Sequence, residues 1–219
     1  MVKRKRRWYP AAEPSQKAGT RPNRTIIFYK PYQVMSSFTD PEGRATVGDY
    51  VAIPEVYAAG RLDYDSEGLL VLTSDGKLAH RITHPRHKLK KVYVVQVEQV
   101  PNQTALQDLR QGVLVKGKRT RPAEVELLDE APPFSERNLP IRYRNNIPTA
   151  WLKIILREGR KRQVRRMTAA VGHPTLRLVR TAIGPITLSD LEPGQWRDLT
   201  KEELRALEKS LSQTASLAS

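Results

Sequence analysis

An acidic stretch bounded by glycines interrupts a strongly basic chain. Residues 60–68 read Gly-Arg-Leu-Asp-Tyr-Asp-Ser-Glu-Gly and lead into the apolar run Leu-Leu-Val-Leu, whereas the whole chain has a formal net charge of +15. Carboxylates that face a polyanionic partner repel it, which a purely binding surface has little reason to accept. The alternative is an acidic turn that only joins two elements, because Asp, Ser and Gly are ordinary turn residues. We favour the interpretation that one of these carboxylates reacts.

The same stretch resembles the signature of the bacterial ribosomal pseudouridine synthases of the RsuA type. That signature is Gly-Arg-Leu-Asp, two variable residues, Ser or Thr, any residue and Gly, followed by an apolar strand. Further segments resemble the other motifs of the family in the same order: Lys30-Pro31, Lys91-Val92-Tyr93, residues 158–167 with the sequence Glu-Gly-Arg-Lys-Arg-Gln-Val-Arg-Arg-Met, and residues 178–184. An ordered set of this kind is far more specific than any single motif.

The resemblance implies a reaction that needs no metal and no cofactor. The enzymes of this family are isomerases that break the C1′–N1 bond of a uridine in RNA, turn the base and rejoin it through C5. In this chain the matching residues are Asp63 as catalytic nucleophile or base, Tyr93 stacked on the base, and Arg165 paired with Asp63 to keep it ionised. The resemblance also implies substrate-binding roles for other matching residues: Lys30, Arg61, Arg160, Lys161, Arg162 and Leu178.

Composition and charge indicate the partner of the protein. The chain has 219 residues, of which 39% are hydrophobic and 28% charged, and it contains no cysteine, which excludes disulfides and thiolate metal sites. It lacks an apolar run of the roughly 20 residues that span a bilayer and the apolar core of a signal peptide. We therefore expect a soluble, cytoplasmic protein that acts as a monomer on large-subunit (23S) ribosomal RNA or a preribosomal particle, and not on a membrane.

The chain divides into three parts. Residues 1–24 contain eight Lys or Arg and one Glu, and we expect a disordered basic arm there. Residues 25–199 hold the motifs and form the predicted catalytic domain, and residues 200–219 form a C-terminal helix and tail that begins with a capping box. We expect no RNA-binding module of the ribosomal S4 type, which many relatives carry before the catalytic domain.

The pattern of apolar residues predicts an α+β domain with a mixed sheet. The resemblance refines this to the pseudouridine synthase fold, a largely antiparallel sheet in two lobes with the active-site cleft between them. The predicted strands are residues 25–29, 69–73, 92–98, 124–128, 150–156 and 176–179. The predicted helices are residues 46–52, 77–83, 104–111, 163–171 and a last one from residue 200.

Two other functions and one metal site compete with this interpretation. The chain could be an RNA-binding or ribosome-assembly factor that retains the fold without turnover, although the intact set of Asp63, Tyr93 and Arg165 argues against it. A metal-dependent nuclease would use the carboxylates of Asp63, Asp65, Glu67 and Asp75. The spacing of His80, His84 and His87 permits a metal site, but Pro85 breaks the helix and basic residues surround it, so we favour a segment that faces RNA.

Overall fold

The computed structural model describes residues 22–137, 139–141 and 146–216 of the chain, the last three of these by their backbone alone. The predicted basic arm therefore lies almost entirely outside the described residues. The described helices are α1 Gly76–Thr83, α2 Gln103–Gln111, α3 Gln163–Ala170 and α4 Lys201–Ser216. The described strands are β1 Thr25–Lys30, β2 Tyr57–Ala58, β3 Glu67–Thr73, β4 Lys91–Glu98, β5 Leu114–Val115, β6 Lys118–Arg119, β7 Glu124–Leu128, β8 Thr149–Leu156, β9 Thr175–Ile183, β10 Ile186–Thr187 and β11 Trp196–Asp198.

Nine of these strands form one mixed sheet in the order β11-β1-β3-β9-β4-β8-β7, with β2 beside β3 and β10 beside β9. The pairing of β3 with β9 is parallel and all other pairings in the sheet are antiparallel. The parallel pairing extends over only two positions, one of which joins Gly68 to Arg180. Gly68 has φ +106°, and a Cβ there would lie 2.3 Å from the carbonyl oxygen of Arg180. Only glycine permits this approach of the two central strands.

Each half of the sheet has its own hydrophobic core. Strands β1 and β3 are buried on both faces, which agrees with their continuous apolar sequences. One face packs with Leu78 and Ile82 of α1 and Leu207 of α4, and the other packs with the segment around Val47. Strands β4 and β8 pack with α2 and α3 in a separate cluster. The predicted class, an α+β fold with a mixed and mostly antiparallel sheet in two lobes, is confirmed.

Most predicted elements are present with small changes at their ends. The last helix begins with the expected capping box: the Glu203 amide donates to Thr200 Oγ1 at 3.1 Å, and the Thr200 amide donates to Glu203 Oε2 at 2.9 Å. The predicted helix over residues 46–52 is wrong, because only a single 3-10 turn forms at Val47–Asp49. Its capping box closes that one turn, after which Val51 enters the core.

None of the described helices is long and apolar enough to cross a membrane.

Candidate active site

The acidic loop before β3 is fixed on both sides of Asp63. The Leu62 amide donates to Ser36 Oγ at 3.0 Å, and the same hydroxyl donates back to the Leu62 carbonyl at 2.8 Å. One turn later the Ser66 amide donates to the Asp63 carbonyl at 3.0 Å. The half-buried Asp63 side chain faces a cleft of about 780 Å³. Within the part of the chain that the structure describes, it forms no ion pair and no side-chain hydrogen bond.

The other two carboxylates of this loop are held by arginines. Asp65 binds both terminal nitrogens of Arg162, at 2.7 and 2.8 Å. Burial would raise the pKa of Asp65, but the hydrogen bonds from Arg162 and the positive charges of Arg165 and Arg162 lower it from its ordinary value. Glu67 is buried and binds Arg177 through nitrogen–oxygen distances of 2.7 and 3.1 Å. Asp63 is thus the carboxylate of this loop that is left without a partner among the described residues.

The position of Arg165 differs from the prediction. Its Nε lies 3.3 Å from Asp65 Oδ2, its Nη2 donates to the Asp65 carbonyl, and its Nη1 donates to the Thr175 carbonyl at 3.2 Å. The expected direct pairing with Asp63 is therefore absent, because Asp65 offers both its carboxylate and its carbonyl to the same guanidinium. Burial lowers the pKa of Arg165 despite the nearby charge of Asp65. Arg165 does not line the cleft and supports the loop from the side away from it. Arg162 lines the cleft and binds Asp65 from that side.

The floor of the cleft comes from β4 and β9. Tyr93 and Leu178 both line the cleft, as we expected from the motifs. Tyr93 lies opposite Arg180 in the antiparallel pairing of these strands. Tyr93 is half-buried and Leu178 is 4% exposed. An aromatic ring and an apolar side chain thus stand in the same cleft as the free carboxylate, a combination suited to a flat base.

Basic side chains form the rim. Arg61 and Lys161 are exposed at the cleft, and Arg160 and Arg162 stand beside them. The turn that carries residues 158–163 is closed by side chains: Gln163 accepts from the Arg160 amide at 2.9 Å and donates to Glu158. This explains why Glu and Gln occur at that spacing in the motif. The rim suits phosphate, as its sequence predicts.

Lys30, which was predicted to bind the substrate, does not lie where it could contact a substrate in the cleft. It is 0% exposed, and its ammonium donates to the carbonyls of Pro31 and Val34, both at 2.8 Å. Burial lowers the pKa of Lys30 to about 7, although the charges of Glu67 and Asp65 oppose that shift. In this arrangement Lys30 shapes the segment that follows β1 and does not line the cleft.

Two buried arginines of β9 were missed by the sequence reasoning. Arg177 and Arg180 are 5% and 4% exposed, and Arg180 lines the cleft. The available signal was the pair of charged residues at positions 177 and 180, inside a strand that is otherwise uncharged and mostly apolar. A charge in a buried strand needs a partner or a ligand.

Neither the carboxylates of the rival nuclease nor the three histidines of the rival metal site form a site that could bind a metal ion. Asp75 caps α1 by accepting from the amides of Lys77 and Leu78, and Asp65 and Glu67 bind arginines. His80, His84 and His87 are neighbours, with ring centroids 5.0 and 6.1 Å apart. Within the described ranges, no group of three or more His, Asp or Glu side chains could hold a metal ion.

The fold and the cleft define an RNA-modifying enzyme of the pseudouridylate synthase class. A crystal structure of a pseudouridylate synthase superposes with a TM-score of 0.71 at 31% identity, over 84% of this chain and 74% of that one. The sequence profile of RNA pseudouridylate synthases matches residues 24–170. The chain belongs to this family, so the assignment predicted from the motifs is confirmed.

Two curated relatives are similar over most of their length. The ribosomal large subunit pseudouridine synthase E of Vibrio parahaemolyticus is 56% identical over 176 residues, which are 80% of this chain and 74% of that protein. The protein of the same name from Xanthomonas campestris is 55% identical over 174 residues, which are 78% of this chain and 93% of that protein.

Proposed function

We propose that this protein converts a uridine of large-subunit ribosomal RNA to pseudouridine, with Asp63 as nucleophile or base. The observation that carries the assignment is the state of the three loop carboxylates. Asp65 and Glu67 are bound by arginines, and Asp63 faces the cleft without such a partner. A carboxylate that must react needs to be positioned by its backbone and free at its oxygens. The proposed substrate, large-subunit ribosomal RNA, follows from the names of the two relatives that are more than half identical to this chain over the aligned residues.

Each neighbour then has a defined task. Tyr93 stacks on the uracil, and Leu178 packs against the nucleotide from the same side of the sheet. The chemistry requires the base to leave its stack, and Arg61 at the mouth of the cleft holds the extruded nucleotide. Arg160, Lys161 and Arg162 bind the phosphates that flank it. Arg165 acts through Asp65, by holding the loop in which Asp63 lies.

We further propose that the protein is a cytoplasmic monomer that uses no metal or cofactor. Isomerisation at one nucleotide involves no net redox change, so the residues of the cleft are sufficient for it. The positive net charge of the chain attracts ribosomal RNA. A non-catalytic assembly factor would have no need for an unpaired carboxylate in a basic cleft.

Release of tritium from RNA that contains 5-tritiated uridine tests the proposal, because the C5 proton is lost when C5 joins C1′. We expect release that continues in the presence of a chelator. An assembly factor would bind the RNA and release no tritium, and a metal-dependent nuclease would shorten the RNA until the chelator stopped it. Mapping pseudouridines in ribosomal RNA from cells with and without the protein identifies the uridine.

A further inference from the structure

Arg180 lies at the centre of the sheet, beneath the cleft. It occupies the middle of β9, where it pairs with Gly68 of β3 on one side and with Tyr93 of β4 on the other. Its Nε donates to the Leu69 carbonyl at 2.8 Å, which fixes the plane of the guanidinium. The side chain is 4% exposed and contributes to the floor of the cleft. Arg180 therefore has a fixed position in the cleft floor, which Tyr93 and Leu178 also form.

The described residues satisfy the guanidinium of Arg180 only in part. Its Nη2 is buried and has no hydrogen-bond partner among the described residues. No described carboxylate forms an ion pair with it, in contrast to Arg177 three residues earlier, which binds Glu67. A buried cation with an unused donor is unfavourable, and natural proteins rarely keep one unless a ligand completes it. Arg180, which carries this unused donor, is also one of the residues that line the cleft.

A second cation adjoins it. Lys91 lies two residues before Tyr93 on β4 and lines the same cleft. Burial lowers the pKa of Lys91 to about 8, and the charge of Arg180 adds to this effect. Among the described residues, its ammonium donates one hydrogen bond, to the Leu89 carbonyl at 3.4 Å. Two poorly compensated cations at one place favour a bound anion.

We propose that Arg180 and Lys91 form a binding site for an anionic oxygen of the target nucleotide, on the cleft floor beside Tyr93. This proposal rests on the proposed function. The oxygen has two possible sources. One is a phosphodiester oxygen next to the extruded uridine. The other is a uracil oxygen, because the electron pair of the C1′–N1 bond leaves with the base in both the nucleophilic and the proton-abstraction routes. Donors that are already in place stabilise such charge without reorganisation.

The test combines a protein change with single-atom changes in the RNA. Arg180→Gln removes the charge, Arg180→Lys keeps it, and Arg205→Gln deletes a charge from the exposed face of α4 as a matched control. The substrate is a ribosomal RNA fragment that contains the mapped uridine, either unmodified or with a methylphosphonate on one side of it. Further fragments carry 2-thiouridine or 4-thiouridine in its place. Affinity and the single-turnover rate of tritium release are measured for each pair, together with thermal unfolding.

We expect Arg180→Gln to lower the single-turnover rate by about 100-fold or more, with partial recovery in Arg180→Lys and no change in Arg205→Gln. One RNA change should weaken binding or turnover of the wild type about fivefold more than it does in Arg180→Gln. Coupling to the methylphosphonate identifies the phosphate, and coupling to a thio base identifies the uracil.

Effects that add independently on every RNA, in both affinity and rate, would overturn the site. If Arg180→Gln does not fold, Lys91→Gln enters the same cycles, and additivity there has the same meaning. A wild-type protein that releases no tritium would refute the proposed function separately, and the couplings measured by affinity would still decide whether Arg180 binds an anion.

Discussion

Asp65 binds Arg162, which lines the cleft, through two parallel hydrogen bonds of 2.7 and 2.8 Å. This bidentate pair joins the acidic loop of one lobe to the start of α3 in the other. Because a bidentate carboxylate–guanidinium pair fixes orientation as well as distance, it positions the whole loop. The pair thereby positions Asp63, two residues earlier, although neither of its members contacts the Asp63 carboxylate.

Asp63→Asn should abolish turnover and leave folding and RNA affinity almost unchanged. The substitution keeps the shape of the side chain and removes only the reactive charge. We expect a loss of at least about 100-fold in tritium release, as is typical for catalytic groups. Asp108→Asn, which changes an exposed carboxylate on α2, is the matched control. Retention of more than roughly a hundredth of the wild-type rate would contradict the role of Asp63.

Asp65→Asn should also reduce turnover, although its carboxylate is not expected to react. The change leaves Arg162 and the mostly buried Arg165 without a charged partner. We expect a loss of about 1–2 kcal/mol in the free energy of unfolding, less than for a fully buried pair because Asp65 is partly exposed. Urea unfolding at pH 7 measures it.

The pH dependence of this loss has a defined sign. The folded pKa of Asp65 is depressed below its ordinary 3.8, so its stabilisation is complete above the unfolded pKa and is lost as pH falls through the folded pKa. The stability difference between wild type and Asp65→Asn should therefore shrink as pH falls below about 4. A difference that stays constant there would mean that the charge of Asp65 does not stabilise the loop.

Arg165→Ala should reduce turnover more than RNA binding, and Arg160→Ala and Lys161→Ala should do the reverse. Arg165 holds the carbonyls of Asp65 and Thr175 behind the cleft, and a small displacement of a catalytic loop can lower the rate by up to about 100-fold. Arg165→Lys should recover part of the activity, because its charge remains but the fork does not.

The two rim variants provide the contrast for Arg165. Each should weaken RNA binding and lower the slope of log affinity against log salt by roughly 0.7–0.9 if one phosphate contact is lost. Turnover at saturating RNA should change little in Arg160→Ala and Lys161→Ala. Equal effects on turnover in all three variants would show that Arg165 does not position the loop.

The sequence predicted the long strands and several residues that face the cleft, among them Asp63, Tyr93 and Leu178, because both leave local signals. Residues 25–29 and 69–73 are continuous apolar runs, and the Gly-Arg-Leu-Asp motif locates Asp63. The strands β2, β5, β6, β10 and β11 have two or three residues each, too few to show any periodicity. The partner of Arg165 was also beyond reach, since Asp63 and Asp65 share one loop and only tertiary geometry decides which carboxylate the arginine meets.

Lys30→Met should change how the free energy of unfolding depends on pH, because burial disfavours the charged form of Lys30. The pKa of Lys30 falls from an ordinary 10.5 to about 7 on folding, chiefly because the side chain is buried. Between these pH values the unfolded chain binds a proton that the folded chain does not, so this group makes stability rise with pH. The free energy of unfolding of the wild type should therefore increase relative to that of Lys30→Met between pH 7 and pH 10. Urea unfolding across that range measures the difference, with Lys201→Met at the exposed start of α4 as control. A difference that does not change with pH would show that Lys30 remains protonated in the fold.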